Sequence, residues 1–311
     1  MRRPAVWDRF WFSPGRAEDL AICRIIFCLG LWLLYARHET PLWTEVGPEF
    51  ARPIKVLGVV SLVALPDPWL EVAWQVWRVC LLAGAAGLAS RFSLAGAFGL
   101  GFYLLALPHH FGRLEHTDGL GVLLLGVLAC SRCAERWSID AWLRRGPGKL
   151  PSPDADEMYR WPIRMAQVML AAVFCSAGLS KLINGGWAWV VSDTMSVILL
   201  KAQLSPTGVG PTTDAGQWLS QQRPLLVLAA MGTIVVELLY PLALFHRGAR
   251  WLFPLAMVGL LVGIRVLVGP WFGTFILAHV FWVPWHRWSA RWMATVNSAP
   301  HESATATGVA G

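Results

Sequence analysis

Charge is scarce in this chain. Acidic and basic residues make up 14% of its 311 residues, whereas soluble domains carry about 25%. Apolar residues reach 56% and come in long blocks, with a mean hydropathy of +0.50. An ordinary soluble domain is excluded, and a polytopic membrane protein is expected. The net charge of +7 forms no continuous basic stripe, so no nucleic-acid partner is expected. The first twenty residues are polar and aromatic. No cleavable signal peptide is evident there, and the first span is expected to act as its own insertion signal. The six cysteines lie mostly within or beside apolar blocks. Cys130 and Cys133 have redox or metal spacing but no second pair. There is no Ser-His-Asp signature, phosphate loop or dinucleotide fingerprint; GLGVLLLG (119–126) is a glycine-bearing helix face.

What is present is a series of apolar windows, and about 20 residues cross a bilayer. Spans are predicted at about 20–36, 70–88, 94–108, 119–131, 163–183, 225–245, 250–268 and 271–286. VLGVVSLVAL (56–65) is too short and reads as re-entrant or interfacial. Many of the nineteen tryptophans flank these blocks, as interfacial belts do. Arg2, Arg3, Arg9 and Arg16 precede the first span. Arg132, Arg136, Arg144, Arg145, Lys149, Arg160 and Arg164 lie between the fourth and fifth. Arg247, Arg250, Arg287 and Arg291 fall on the same side, and the loop 184–224 holds only Lys201 and Arg223. The positive-inside rule then predicts an all-α bundle of about eight transmembrane helices with both termini cytoplasmic. It would be a multi-pass protein of the cell membrane in contact with lipid. The expected organisation is a cytoplasmic segment (1–18), a transmembrane domain (19–290) and a disordered, small and polar tail (291–311).

Ionisable groups inside the bilayer are costly and usually face the bundle interior. Here they include Arg24, Arg78, Lys181, Glu237 and Arg265, with the polar Gln167. Arg24, Arg78 and Glu237 read as structural polar groups, Glu237 bonded to an arginine or lysine. Lys181, in FCSAGLSKLINGGW (174–187), has two readings. It snorkels to the interface, or it is desolvated, loses its proton readily and serves as a base. The predicted topology puts it on the outer side with loop 109–119, so His116 and Lys181 could face one cavity. His109, His110, His116, Glu115 and Asp118 raise a metal reading, but adjacent histidines rarely share an ion and no metal is expected.

Several motifs occur in order: EDLAICRIIF, LLAGAAGLASRFS, EHTDGLGVLLLGVLACSRCAERWSIDAW and MAQVMLAAVFCSAGLSKLINGGW. Together they resemble the HTTM family, the transmembrane domain shared with vitamin K-dependent γ-carboxylase, over about residues 15–290. The resemblance implies that Lys181 is the base acting on a reduced quinone, with His116 assisting. Asp118, Trp187 and Arg265 are implied to bind substrate or quinone. Arg265 stands where the family often has a histidine. Reduced vitamin K or menaquinol is the implied cofactor, and a small secreted peptide modified at the outer face is the implied substrate. If catalytic, the protein would be a carbon–carbon lyase. The carboxylases also carry a large extra-membrane domain, to which no segment here corresponds. Two alternatives stand beside this: a non-carboxylating factor for maturing or exporting a secreted peptide, of the sporulation-delaying-toxin maturation type, and a DoxX-like quinone-binding subunit.

Overall fold

A computed structural model describes residues 6–36, 50, 52, 55–56, 60–61, 65–111, 116–145, 156–204 and 210–288. Its regular structure is helical apart from a two-residue antiparallel pairing of β1 (Lys55–Val56) with β2 (Val60–Ser61). That pairing lies in the stretch read as re-entrant or interfacial; the rest of that stretch and the tail beyond 288 lie outside the described residues.

The helices are α1 (Val6–Phe12), α2 (Ala17–Leu34), α3 (Asp67–Ala86), α4 (Ser90–Ala106), α5 (His116–Cys130), α6 (Ile139–Arg145) and α7 (Arg160–Gly185), then α8 (Ala188–Val191), α9 (Thr194–Gln203), α10 (Ala215–Ser220), α11 (Arg223–Leu239), α12 (Ala249–Leu267) and α13 (Gly273–Ala278). Each predicted span overlaps one of them, the last (271–286) only over the six residues of α13. Among the described residues, four helical segments are long and apolar enough to cross a membrane: Ser90–Phe111, Glu157–Gly185, Arg223–Leu244 and Ala249–Leu267. The segments at Thr117–Cys130 and Gly273–Trp282 are apolar but shorter. The polar residues Glu18, Asp19 and Arg24 interrupt α2, and Glu71, Gln75 and Arg78 interrupt α3.

The segment 184–224, read from sequence as one long loop, contains α8, α9 and α10. Its apolar residues Met195, Ile198 and Leu199 recur at i, i+3 and i+4, the spacing of one helix face. Helices α2, α3, α4 and α5 pack in sequence order, and α7 runs antiparallel to α11. Their shared core includes Leu20, Phe27, Trp77, Leu81, Leu104, Leu124, Tyr240 and Phe281, all essentially inaccessible. Between apolar helices in lipid, such close packing supplies dispersion energy rather than a hydrophobic gain.

One end of the bundle is tied by polar contacts. Helix α3 stops at Gly87, whose φ of 69° favours glycine. A Cβ there would also lie 2.2 Å from the Ser138 Cβ. Buried Arg24 donates to the carbonyls of Cys133 (2.7 Å), Ala85 (3.3 Å) and Trp137 (2.6 Å). A cation thus meets the free carbonyls where α3 ends. Asp140 accepts from the Ala89 and Ser90 amides, both at 2.8 Å, and caps α4. Burial pushes the Asp140 carboxyl up, but the Ser90 and Ala89 donors outweigh it and hold it below the usual carboxylate range. Arg136 pairs with Glu18 at 2.6 Å. Three of the four quoted motifs therefore meet in one structural junction. Cys133 belongs to it, buried and bonded to the Leu128 carbonyl.

Candidate functional site

At the other end of α7, Lys181 meets Glu237. Gly178 lies one turn before Lys181, where a Cβ would come within 3.0 Å of the Glu237 Cβ. The small residue lets α7 approach α11 closely. Lys181 Nζ then donates to both carboxylate oxygens of Glu237, at 2.7 and 2.8 Å. The Lys181 side chain is 26% exposed and that of Glu237 9%. The predicted bonding of Glu237 to a basic residue is observed, and its partner is Lys181 itself. Lys181 turns inward to a carboxylate.

The turn after α7 finishes the site. Gly186 adopts a φ of 56° and its amide donates to the Leu182 carbonyl at 2.9 Å. The chain reverses, Trp187 is left 63% exposed, and Trp189 comes over Lys181 with the ammonium 5.6 Å from its ring centre. A cation facing an indole ring gains about 0.5–2 kcal/mol.

The pair closes the polar end of a cavity of about 550 Å³. Apart from Thr233, whose hydroxyl donates to the Ala229 carbonyl at 2.8 Å, its other walls are apolar and come largely from α9, α10, α11 and α12, including Met195, Leu199, Val236, Leu260 and Leu267. Gly232 of α11 and Gly259 and Gly263 of α12 also line it, and added Cβ atoms there would meet nothing within 4 Å. Small residues four apart usually draw two helices together. Here they hold a slot open between α11 and α12. Sequence reading missed Trp189, the α9 wall and these glycines. The legible signals were the helical spacing in TMSVILLKAQ and the Gly259-x-x-x-Gly263 pair.

The other sequence-nominated residues lie elsewhere. His116 opens α5, and its side chain lies outside the described residues. Among the described residues, none of α5 lines the cavity. Asp118 accepts from the Tyr35 hydroxyl. Tyr35 in turn packs on Trp77, ring centres 5.4 Å apart. Trp187 does not line the cavity. Arg265 does not line the cavity; it donates to the carbonyls of Gly269 (2.5 Å) and Gly210 (3.3 Å), and so closes the end of α12. Arg78 stands 5.4 Å from the Trp32 ring centre. Gln167 donates to the Phe281 carbonyl at 2.8 Å and ties α7 to the turn at His279–Trp282.

The arrangement offers one proton-bearing dyad, a large apolar slot and an aromatic cover. It suits a ligand with an apolar body and one polar, proton-exchanging head. No curated protein and no solved structure matches the chain. Residues 12–269 match the family described as the HTTM domain. With most of its length covered by that match, this chain belongs to the HTTM family.

Proposed function

We propose that the protein is a multi-pass cell-membrane protein of about eight spans with cytoplasmic termini, and that its cleft takes up a reduced quinone from the lipid. The observation that carries this reading is the Lys181–Glu237 pair, bonded at 2.7 and 2.8 Å at the polar end of an apolar cavity. The slot beside Gly232, Gly259 and Gly263 fits a flat ring or an isoprenoid chain, and the dyad fits a ring hydroxyl. A reduced quinone supplies reducing equivalents and an acidic hydroxyl.

The chain's residues divide the proton handling between them. The Glu237 carboxylate accepts the proton. The Lys181 ammonium stays beside it and supplies the charge that balances the site. Lys181 then acts as a base only through Glu237, because an amine already carrying its proton cannot take another. Trp189 holds the ammonium from the opposite side and shields it from water. Resemblance to the carboxylase implies that this chemistry serves modification of a small secreted peptide at the outer face, with His116 as a second participant.

The test uses purified protein in nanodiscs with menaquinol or vitamin K hydroquinone and with dioxygen as oxidant and source of the epoxide oxygen, followed by quinol oxidation and epoxide formation. Wild type is expected to turn over, and Lys181→Ala and Glu237→Gln to lose activity at least a hundredfold. Wild-type turnover by Lys181→Ala would overturn the assignment. A purely structural role for the pair is the second reading, favoured by the burial of Glu237. Full function in Lys181→Met at normal expression would support it.

A further inference from the structure

The opposite end of the bundle carries a group of cations without carboxylate partners. Arg160 and Arg164 lie in the first turns of α7, Arg250 lies at the start of α12, and Arg287 lies in the helical turn at 285–288. Arg160, Arg164 and Arg250 lie within mutual coulombic range, and Arg287 acts on Arg250. Neither α7 nor α12 has an acidic side chain in its first turn. The positive helix ends therefore add to the repulsion. Among the described residues, no carboxylate lies within ion-pair distance of these four arginines. Asp19 is in coulombic range of Arg160 and Arg250, but it is held by His286, through the backbone amide at 2.6 Å and Nδ1 at 2.8 Å. The Nε atoms of Arg160 and Arg164 are buried and have no hydrogen-bond partner. An unpaired buried donor costs about 1–3 kcal/mol.

The surroundings are those of a membrane interface. Helix α1 lies against α7, with Phe10 stacked on Phe245 at 5.8 Å and the Arg164 guanidinium 4.7 Å from the Phe10 ring centre. Val6, Trp7, Phe245, Leu252 and Leu255 are exposed nearby. Arg164 Nη1 donates to Gln167 Oε1 at 3.1 Å and to the Leu244 carbonyl at 3.3 Å, which leaves its charge without a carboxylate. Apolar side chains flanking guanidinium groups with no carboxylate at ion-pair distance match a lipid, which brings acyl chains together with a phosphate. Free phosphate would leave those apolar faces uncovered.

We propose that Arg160, Arg164, Arg250 and Arg287 bind the phosphodiester of an anionic phospholipid, with its chains along α12 and under α1. Guanidinium groups bond phosphate oxygens through paired N–H donors, which satisfies the free Nε atoms and cancels the repulsion.

The full chain is reconstituted in nanodiscs of phosphatidylcholine alone or of phosphatidylcholine with phosphatidylglycerol. Thermal unfolding and native mass spectrometry are then read. Phosphatidylglycerol is expected to raise Tm by several degrees. Arg160→Gln/Arg250→Gln should retain on the order of tenfold less phosphatidylglycerol and lose most of that rise. Its Tm in phosphatidylcholine alone should not fall, because like charges are removed. Arg91→Gln/Arg144→Gln, in the groove beside Asp140, should keep the full response. The single Arg250→Gln gives the same reading if the double variant does not fold. The proposal is overturned by equal wild-type Tm values in the two lipids, or by a wild-type response in the double variant. It is equally overturned if inorganic phosphate added to phosphatidylcholine discs reproduces the rise.

Discussion

The Arg24 junction and the Lys181 cleft use the same ingredients to opposite ends. Each places a cation within a helical bundle. Arg24 is fully buried and spends its donors on three backbone carbonyls. It holds α2, the end of α3 and the segment after α5 together. Lys181 bonds one side chain, and beside it the packing stops at a slot kept open by glycines. A cation spent on backbone carbonyls locks a fold. A cation spent on one carboxylate beside empty space leaves a pair that a ligand can reach.

The largest effect should come from breaking the closed region. Arg24→Met strands carbonyls at the α3 end and should cost about 3 kcal/mol or more. Loss of folded protein on size-exclusion chromatography, or a sharply lowered Tm in detergent, checks it. Gly87→Ala follows at about 2 kcal/mol, from strain at φ 69° and the clash with Ser138.

The open region should respond differently. Glu237→Gln leaves the Lys181 ammonium without its counter-charge and should lower stability by about 2 kcal/mol, below the range for a fully buried pair because Lys181 is 26% exposed. Lys181→Met/Glu237→Leu should return to within about 1 kcal/mol of wild type, since an apolar pair can replace an ion pair. Quinol oxidation should stay lost in both. Recovery of stability without activity would separate the cleft from the junction. Failure of the double variant to recover would make the two regions alike.

A smaller effect is expected from pH. The folded Asp140 carboxyl is held low by Ser90 and Ala89. A depressed folded pKa stabilises above the unfolded value, about 3.9. That stability is lost as pH falls through the lower folded pKa. Asp140→Asn should flatten the acid limb of the Tm profile and leave the neutral-to-basic limb parallel to wild type. The smallest stability change is expected for Gly259→Leu, whose added atoms enter open space. It should stay within about 0.5 kcal/mol, yet lower quinol turnover by at least tenfold.

The helices at the predicted spans were legible because long apolar runs need no tertiary partner to be recognised. The resemblance was legible from motif order, and the match to the HTTM domain bears it out. The use of those motifs was not. EDLAICRIIF, LLAGAAGLASRFS and the segment around WSIDAW meet in the junction. Arg24 there bonds carbonyls, and carbonyls leave no trace in sequence. Glu237 was expected to pair with a base, but its separation from Lys181 hid which one. Trp187 and Trp189 are two residues apart, and only the turn at Gly186 decides which of them covers the lysine.

Composition and periodicity by themselves determined that this is a helical membrane protein with charges set inside its spans, because apolar length and the cost of buried charge act along the chain. Tertiary structure alone decided what those charges do. Packing at Gly178 joins Lys181 to Glu237, and open space at Gly232, Gly259 and Gly263 makes their meeting place a cleft. Both depend on distances between helices, and those are set by which side chains meet across them.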